Sequence, residues 1–128
     1  MFTPVSAMVV DDEKDQTILF SLFLARFGFD SITFNDPLVA LKHYGQYNKR
    51  YSLVLVDWNM PKIDGIGLAR KIREHDSKVK IILITAFFIG DIFAKDEFKE
   101  VKIADVIQEP IVLKEFGRRI NLFYSKKK

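Results

Sequence analysis

The sequence contains no cysteine, so neither a disulfide nor a thiolate metal site can form. Proline and glycine are sparse, with four and six residues among 128, and no stretch is rich enough in them to predict a linker. The longest apolar run, Ile81–Ile89, is about half as long as a membrane-spanning helix requires. No secretory signal is recognisable at the start. These absences favour one cytoplasmic domain, residues 1–128, without membrane insertion.

The amino-acid composition is rich in apolar residues and carries a small positive net charge. The hydrophobic fraction is 48%, twelve residues are Phe, and the net charge is +3. Much of the excess charge lies near the end of the chain, at Lys114, Arg118, Arg119 and residues 126–128. No motif or interleaved aromatic pattern accompanies these charges. They therefore favour a solvated last helix over a surface that binds nucleic acid directly.

Apolar runs alternate with segments of helical period along the whole chain. The predicted strands are Ala7–Val10, Ser31–Phe34, Leu53–Val56, Lys80–Thr85 and Asp105–Gln108. The predicted helices cover about 15–27, 37–47, 65–75, 90–101 and 112–124. Gly28 ends the first helix, and Asp36 with Pro37 begins the second. This alternation predicts an α/β fold, a doubly wound (βα)5 domain whose parallel sheet has helices on both faces.

Polar residues stand where four predicted strands end. Asp11 and Asp12 follow the first strand, and Asp57 follows the third. Thr85 ends the fourth strand, and Glu109 follows the fifth. Because parallel strands end at one edge of the sheet, these residues are expected to line one rim, where such folds bind ligands.

The three aspartates predict a metal site with a nucleophile. At an effective dielectric of ~20 and a separation of ~5 Å, each pair of carboxylates repels by about 3 kcal/mol. Oxygen ligands without His or Cys favour Mg²⁺, with Asp12 and Asp57 as direct ligands, Asp11 acting through water and a backbone carbonyl after Asp57 completing the set. Asp57 beside the metal could accept a phosphoryl group, with the Thr85 hydroxyl as a donor to it. Each aspartate alone could instead only cap a helix or end a strand.

Three motifs together resemble the receiver domain of two-component response regulators, of the CheY-like type. They are Val9–Glu13, Asp57–Gly65 and Ile84–Ala86, of which the second is the most specific. The resemblance implies a flavodoxin-like sheet of order 2-1-3-4-5. Asp57 would be the phosphoacceptor, and Thr85 would be the switch hydroxyl. The Mg²⁺ ligands would be Asp11, Asp12, Asp57 and the backbone carbonyl of Asn59.

The resemblance also implies partners and a mode of action. The phosphoryl donor would be a phosphohistidine on a histidine kinase or phosphotransfer protein, and phosphorylation would switch binding to a downstream protein. Such a domain is not an enzyme beyond accepting its own phosphoryl group and slowly losing it. Nothing in the sequence names the kinase or the target. A monomer or weak dimer is expected.

The sequence departs from the receiver pattern at three positions. Glu109 stands before Pro110 where the family carries Lys, and the Glu109–Pro110 bond is expected to be cis as in the family. Val106 takes the place of an aromatic residue, and Phe87 could shield the site from water. Either Lys62 or Lys114 replaces the missing cation while Glu109 turns to solvent, or Glu109 becomes an additional metal or proton-linked group, or phosphorylation is lost.

Three functions remain open at this point. The first is a phosphorylatable, Mg²⁺-dependent receiver, and the second is a receiver-like module that binds partners without phosphorylation. The third, an aspartate-nucleophile phosphohydrolase, is disfavoured because position 59 is Asn rather than Asp and no lid insertion is present. His43 and His75 are expected in helices away from the rim, as ordinary surface or packing residues.

Overall fold

Five parallel strands form one sheet in the computed structural model, which describes residues 5–47, 50–87 and 96–124. The strands are β1 (Val5–Val10), β2 (Phe29–Phe34), β3 (Leu53–Asp57), β4 (Lys80–Thr85) and β5 (Ile103–Gln108). Their order across the sheet is β2-β1-β3-β4-β5. Both the parallel (βα)5 architecture and this strand order confirm the expectations from the sequence.

The described helices are α1 (Lys14–Arg26), α2 (Pro37–Gln46), α3 (Gly65–Arg73), α4 (Asp96–Glu100) and α5 (Leu113–Tyr124). The prediction for 90–101 falls partly on residues outside the described ranges, so only its second half is tested. The third helix was predicted to continue to about 75 but ends at Arg73, because the carboxylate of Asp76 accepts the amides of Lys78 and Val79 and folds the chain into a turn. His75 therefore lies after the helix, and the prediction that it is helical was wrong.

Strands β1, β2 and β5 each begin two residues earlier than their apolar runs predict. In β2 the additional residues include Phe29, which is buried, and Asp30, which is exposed. A polar residue is tolerated there because β2 is an edge strand with one side in solvent. Gly28 separates α1 from β2 with a φ of +90°, a conformation that favours glycine and explains the stop at this position.

The sheet carries one apolar cluster on each face, because alternate residues of a strand point to opposite sides. Val54 and Val56 of β3 contribute to the cluster under α2, α3 and α4. Leu53 and Leu55 contribute to the cluster under α1 and α5, where Phe116 is completely buried. In the part of the chain that the structure describes, each face of the sheet is thus covered by helices.

The two arginines of α5 are paired within the molecule. Arg119 binds Asp105 of β5 through two hydrogen bonds of 2.8 Å, and Arg118 binds Glu115. This pairing fits a helix held on the sheet; residues 126–128 lie outside the described ranges. His43 is a packing residue as expected, since its Nε2 lies 2.6 Å from the hydroxyl of Tyr51. Among the residues that the structure describes, no helix has the length and apolar character needed to cross a membrane.

Candidate functional site

The centre of the sheet brings the two halves of the acidic site together. Strands β1 and β3 are neighbours, with Val10 opposite Val56, so the residues after them leave the sheet side by side. Carboxylate oxygens of Asp11, Asp12 and Asp57 all lie within 4.8 Å of one another. The structure therefore brings together the three aspartates that the strand ends predict, although Asp57 lies 46 positions after Asp11 in the sequence.

Burial sets the protonation of two of these aspartates. Asp11 is only 5% exposed, and its Oδ1 accepts the amide of Glu13 at 2.9 Å. Burial raises the pKa of Asp11 from 3.8 to about 7, with the nearby carboxylates of Asp57 and Asp12 adding to the effect. Burial likewise raises the pKa of Asp57 to about 6, although the Asn59 amide opposes the rise. In the absence of a cation, the fold is thus poorly suited to holding both groups ionised.

A pocket of about 230 Å³ opens beside these carboxylates. Its lining consists of Asp11, Asp12, Glu13, Gln16, Asp57, Asn59, Ala86, Phe87 and Glu109. Five of these nine side chains are acidic, and none of this described lining is Lys or Arg. The pocket is therefore a site of strongly negative potential, complementary to a cation.

Glu109 lies in this pocket and is half-buried. Its carboxylate accepts a hydrogen bond from the side-chain amide of Gln16, which comes from the first turn of α1. Burial raises the pKa of Glu109, while the bond from Gln16 opposes the rise. The peptide bond before Pro110 is cis, as the resemblance implies. Glu109 thus faces the acidic groups instead of turning to solvent.

The two lysines considered as substitutes for the missing cation lie elsewhere. Lys62 places its Nζ 3.0 Å from Asp36, and Lys114 is an exposed residue of α5. Neither belongs to the described lining of the acidic pocket. Among the described residues, the pocket is therefore without the lysine that the receiver pattern carries and without a replacement for it.

Thr85 ends β4 next to the pocket and is 1% exposed. Its Oγ1 accepts the amide of Phe87 at 3.1 Å, and its carbonyl accepts the amide of Glu109 at 2.7 Å. Phe87 is 61% exposed and lines the pocket. Val106 is fully buried, so the fifth strand contributes an aliphatic core residue where receivers carry an aromatic one.

Three residues at the site were not identified from the sequence as site residues. Glu13 and Gln16 line the pocket, and Asn35 donates to the backbone carbonyl of Asp11 at 2.8 Å. Gln16 lies in the first turn of α1, three residues after the helix cap Glu13 and close to the loop that carries Asp11 and Asp12. Asn35 stands at the carboxyl end of β2, so the same strand-end rule that found the aspartates applies to it.

The donor set fits a hard divalent cation. The oxygens come from three separate carboxylates, and two of these have raised pKa values that a nearby cation would lower again. Mg²⁺ takes oxygen ligands, keeps several waters and needs only one or two protein carboxylates. Asp11, Asp12 and Asp57 are the residues that would hold it.

A parallel sheet of order 2-1-3-4-5 with an acidic pocket at its carboxyl edge defines a CheY-like α/β domain. The family model of the response regulator receiver domain matches residues 7–121. The chain therefore belongs to the response regulator receiver domains of two-component systems.

Known relatives agree with this assignment. The probable transcriptional regulator ycf27 of Guillardia theta is 32% identical over 118 residues, which cover 92% of this chain and 44% of that protein. The alkaline phosphatase synthesis transcriptional regulatory protein PhoP of Bacillus subtilis is 30% identical over 113 residues, covering 88% of this chain and 45% of that protein. This chain thus spans less than half the length of these relatives.

Solved structures share the fold. The CheX–CheY–BeF3–Mg²⁺ complex from Borrelia burgdorferi contains a chain that matches with a TM-score of 0.84 and 24% identity, covering 96% of this chain and 91% of that one. A receiver domain protein from Clostridium thermocellum matches with a TM-score of 0.80 and 19% identity, covering 92% of each chain. At these identities the likeness concerns the fold alone.

Proposed function

We propose that this domain accepts a phosphoryl group on Asp57 from a phosphohistidine, with Mg²⁺ bound in the acidic pocket, and that phosphorylation switches its binding to a partner protein. The observation that carries the proposal is the meeting of three carboxylates within 4.8 Å at the edge of a receiver fold. A single aspartate at a strand end would support no such chemistry, whereas this cluster supplies a nucleophile together with a cation site.

Each residue has a defined task in the transfer. An oxygen of the Asp57 carboxylate forms a bond to phosphorus while the bond from phosphorus to the histidine nitrogen breaks, and neutral imidazole leaves with the bonding electrons when its other nitrogen carries a proton. Bound Mg²⁺ supplies the positive charge that screens the phosphoryl oxygens. Asp11, Asp12 and the carbonyl of Asn59 would hold the ion, and Asp57 would both hold it and react.

Thr85 and Glu109 set the stability of the product in this proposal. The Thr85 hydroxyl is buried beside the pocket and would donate to a phosphoryl oxygen. Glu109 would repel the same group, since its carboxylate lies in the pocket where the family carries a cation. The phosphorylated state is therefore expected to form more slowly and to last for a shorter time than in receivers that carry the lysine.

Incubation with acetyl phosphate and Mg²⁺, followed by intact-mass spectrometry, tests the proposal. We expect one added phosphate, which is lost in Asp57→Asn and in the presence of a chelator and is reduced in Asp12→Asn. The matched control is Asp30→Asn, an exposed aspartate of the edge strand, which should retain the wild-type mass shift. No added phosphate with acetyl phosphate, or with histidine kinases of the same organism, would contradict the proposal.

Glu109 specifically favours a second candidate function, a receiver-like module that binds its partner without phosphorylation. In that case Asp57→Asn would leave partner binding and biological output unchanged. The comparison of wild type with Asp57→Asn in a reporter assay separates the two candidates, because the first requires a strong loss of output.

The domain is proposed to work with proteins rather than on a small substrate. The donor is proposed to be a histidine kinase or phosphotransfer protein, and the domain itself is proposed to catalyse no repeated turnover. The first relatives are named as transcriptional regulators and are more than twice as long as the matched segment, so a regulatory output in the whole protein is part of this proposal.

A further inference from the structure

Asn35 connects the edge strand β2 to the acidic loop after β1. Its side-chain Nδ2 donates to the backbone carbonyl of Asp11 at 2.8 Å and to the hydroxyl oxygen of Thr17 at 3.2 Å. The backbone at this position also meets that loop, since the amide of Asp11 donates to the carbonyl of Phe34 at 3.1 Å. Asn35 is not among the described residues that line the pocket, yet it contacts the loop that carries Asp11 and Asp12.

The orientation of the Asn35 amide is fixed by chemistry. The Thr17 hydroxyl donates its hydrogen to the carbonyl of Lys14 at 2.9 Å, so toward Asn35 its oxygen can only accept. The carbonyl of Asp11 is also an acceptor. Both contacts therefore require the NH₂ group of Asn35, and the reverse orientation would place its oxygen against two acceptors. Thr17 is 1% exposed, so water cannot readily replace this contact.

The carbonyl that Asn35 holds belongs to the peptide unit joining Asp11 to Asp12. A peptide unit is planar, so fixing its carbonyl fixes the direction in which the chain leaves Asp11 and enters Asp12. The plane contains the Cα atoms of both aspartates, so it limits the directions that their Cα–Cβ bonds can take. One hydrogen bond from Asn35 thus constrains two carboxylates at once.

The next residue extends the connection to the other half of the site. Asp36 caps α2 by accepting the amide of Leu38 at 2.9 Å, and its second oxygen accepts from Lys62 at 3.0 Å. Lys62 lies in the loop after Asp57 and has a φ of +73°. The loop after β2 thereby contacts both ligand-bearing loops, although it contributes no carboxylate to the cluster.

From these contacts we infer that Asn35 is a positioning residue of the proposed metal centre and that its hydrogen bond to Asp11 favours Mg²⁺ over Ca²⁺. The inference rests on the proposed function. Mg²⁺ requires nearly ideal octahedral geometry with short ligand distances, whereas Ca²⁺ accepts variable coordination. A freed Asp11–Asp12 peptide should therefore harm Mg²⁺ binding more than Ca²⁺ binding.

Metal titration of wild type, Asn35→Ala and Asn35→Ser tests the inference. Trp58 adjoins Asp57 and is the single tryptophan of the chain, so its fluorescence reports binding, and calorimetry gives an independent Kd. We expect the Kd for Mg²⁺ to rise about tenfold in both variants, as is typical when a residue that orients a ligand is removed. The Kd for Ca²⁺ should rise by a clearly smaller factor. Serine serves as the second variant because it is polar and small but too short to reach the Asp11 carbonyl.

Two results distinguish failure of the inference about Asn35 from failure of the proposed metal centre. The inference alone is overturned if the wild type binds Mg²⁺ and both Asn35→Ala and Asn35→Ser leave its Kd unchanged. It is also overturned if the two variants raise the Kd for Mg²⁺ and the Kd for Ca²⁺ by the same factor. Absence of Mg²⁺ binding by folded wild type overturns the proposed metal centre as well. Ile120→Val is the matched control, since Ile120 is a buried residue of α5, which contributes nothing to the described pocket lining. Its destabilisation should leave both metal affinities unchanged.

Discussion

Glu109 places a negative charge where the incoming phosphoryl group would add further negative charge. At an effective dielectric of ~20 and a separation of ~5 Å, one such pair interacts by about 3 kcal/mol. The bond from Gln16 keeps the carboxylate in the pocket. A change of sign at this single position should therefore have a large effect on phosphorylation and little effect on the fold, because the side chain is only half-buried.

The first prediction concerns Glu109→Lys. We expect phosphorylation of Asp57 by acetyl phosphate to become at least tenfold faster, because repulsion by one charge is replaced by attraction. Intact-mass spectrometry over time gives the rate. Glu74→Lys makes the same change of charge at an exposed residue beyond α3 and should leave the rate within about twofold of wild type. Equal rates for Glu109→Lys and wild type would show that Glu109 does not act on the phosphoryl group.

At this scale the sequence predicts some site residues better than others. Asp11, Asp12 and Asp57 follow apolar strands, and the strand-end rule for parallel sheets is sufficient to place them together. The contact between Gln16 and Glu109 depends on the rotation of α1 about its axis and on two side-chain rotamers. Neither quantity is encoded in a local pattern, so that pair emerges only from the folded structure.

Helix α3 begins directly against the strand that carries Asp57. Asp64 caps the helix by accepting the amide of Gly67 at 2.8 Å, and the amide of Gly65 donates to the carbonyl of Trp58 at 2.8 Å. A Cβ at Gly65 would lie 2.7 Å from the backbone oxygen of Asp57. The close approach of helix and strand therefore requires glycine at this position.

The second prediction compares two helical glycines. Gly65→Ala should lower the free energy of unfolding by about 2 kcal/mol, because the backbone at Asp57 and Trp58 must move. Gly45→Ala in α2 should be neutral or stabilising by up to about 1 kcal/mol, since its Cβ would meet only His75 at 3.5 Å and alanine favours helix. Urea denaturation measures both. A Gly65→Ala variant as stable as Gly45→Ala would contradict the packing described for α3.

Element types and order follow from the sequence, whereas several boundaries do not. The apolar run of β3 is buried on both faces, so its pattern is unambiguous. Strand β2 is an edge strand, and because its second residue, Asp30, is polar, the apolar pattern does not show where the strand begins. The end of α3 depends on the turn at Asp76, and the helical spacing of apolar residues does not predict the hydrogen bonds of that turn.

When no cation is bound, the repulsion and burial of carboxylates in the acidic pocket lower the stability of the whole folded domain. In the unfolded chain the carboxyls of Asp11 and Asp57 ionise near their ordinary pKa of 3.8. In the folded protein their pKa values are about 7 and about 6. The folded state therefore holds more protons than the unfolded state in this window, and stability falls as the pH rises.

The third prediction is a loss of stability with rising pH in the metal-free protein. Between about pH 4 and pH 7 the free energy of unfolding should fall by several kcal/mol, since the pKa of Asp11 rises from 3.8 to about 7, that of Asp57 rises to about 6, and each pKa unit corresponds to about 1.4 kcal/mol. Urea denaturation in the presence of a chelator measures the profile. Asp11→Asn should make this fall in the free energy of unfolding smaller. Millimolar Mg²⁺ at pH 7 should raise the free energy of unfolding of the wild-type protein again, because the ion binds only the folded state. A wild-type profile that is flat over this window would contradict the pKa shifts.

The hydroxyl of Thr85 accepts the amide of Phe87 and does not belong to the described pocket lining. If phosphorylation of Asp57 turns this hydroxyl toward the phosphoryl group by rotation about its Cα–Cβ bond, that rotation breaks its bond with the Phe87 amide. The amide then loses its partner at the exposed end of β4 and becomes available to solvent. Hydrogen–deuterium exchange at the Phe87 amide would then report this proposed rotation of Thr85 in the isolated domain, before any partner protein is known.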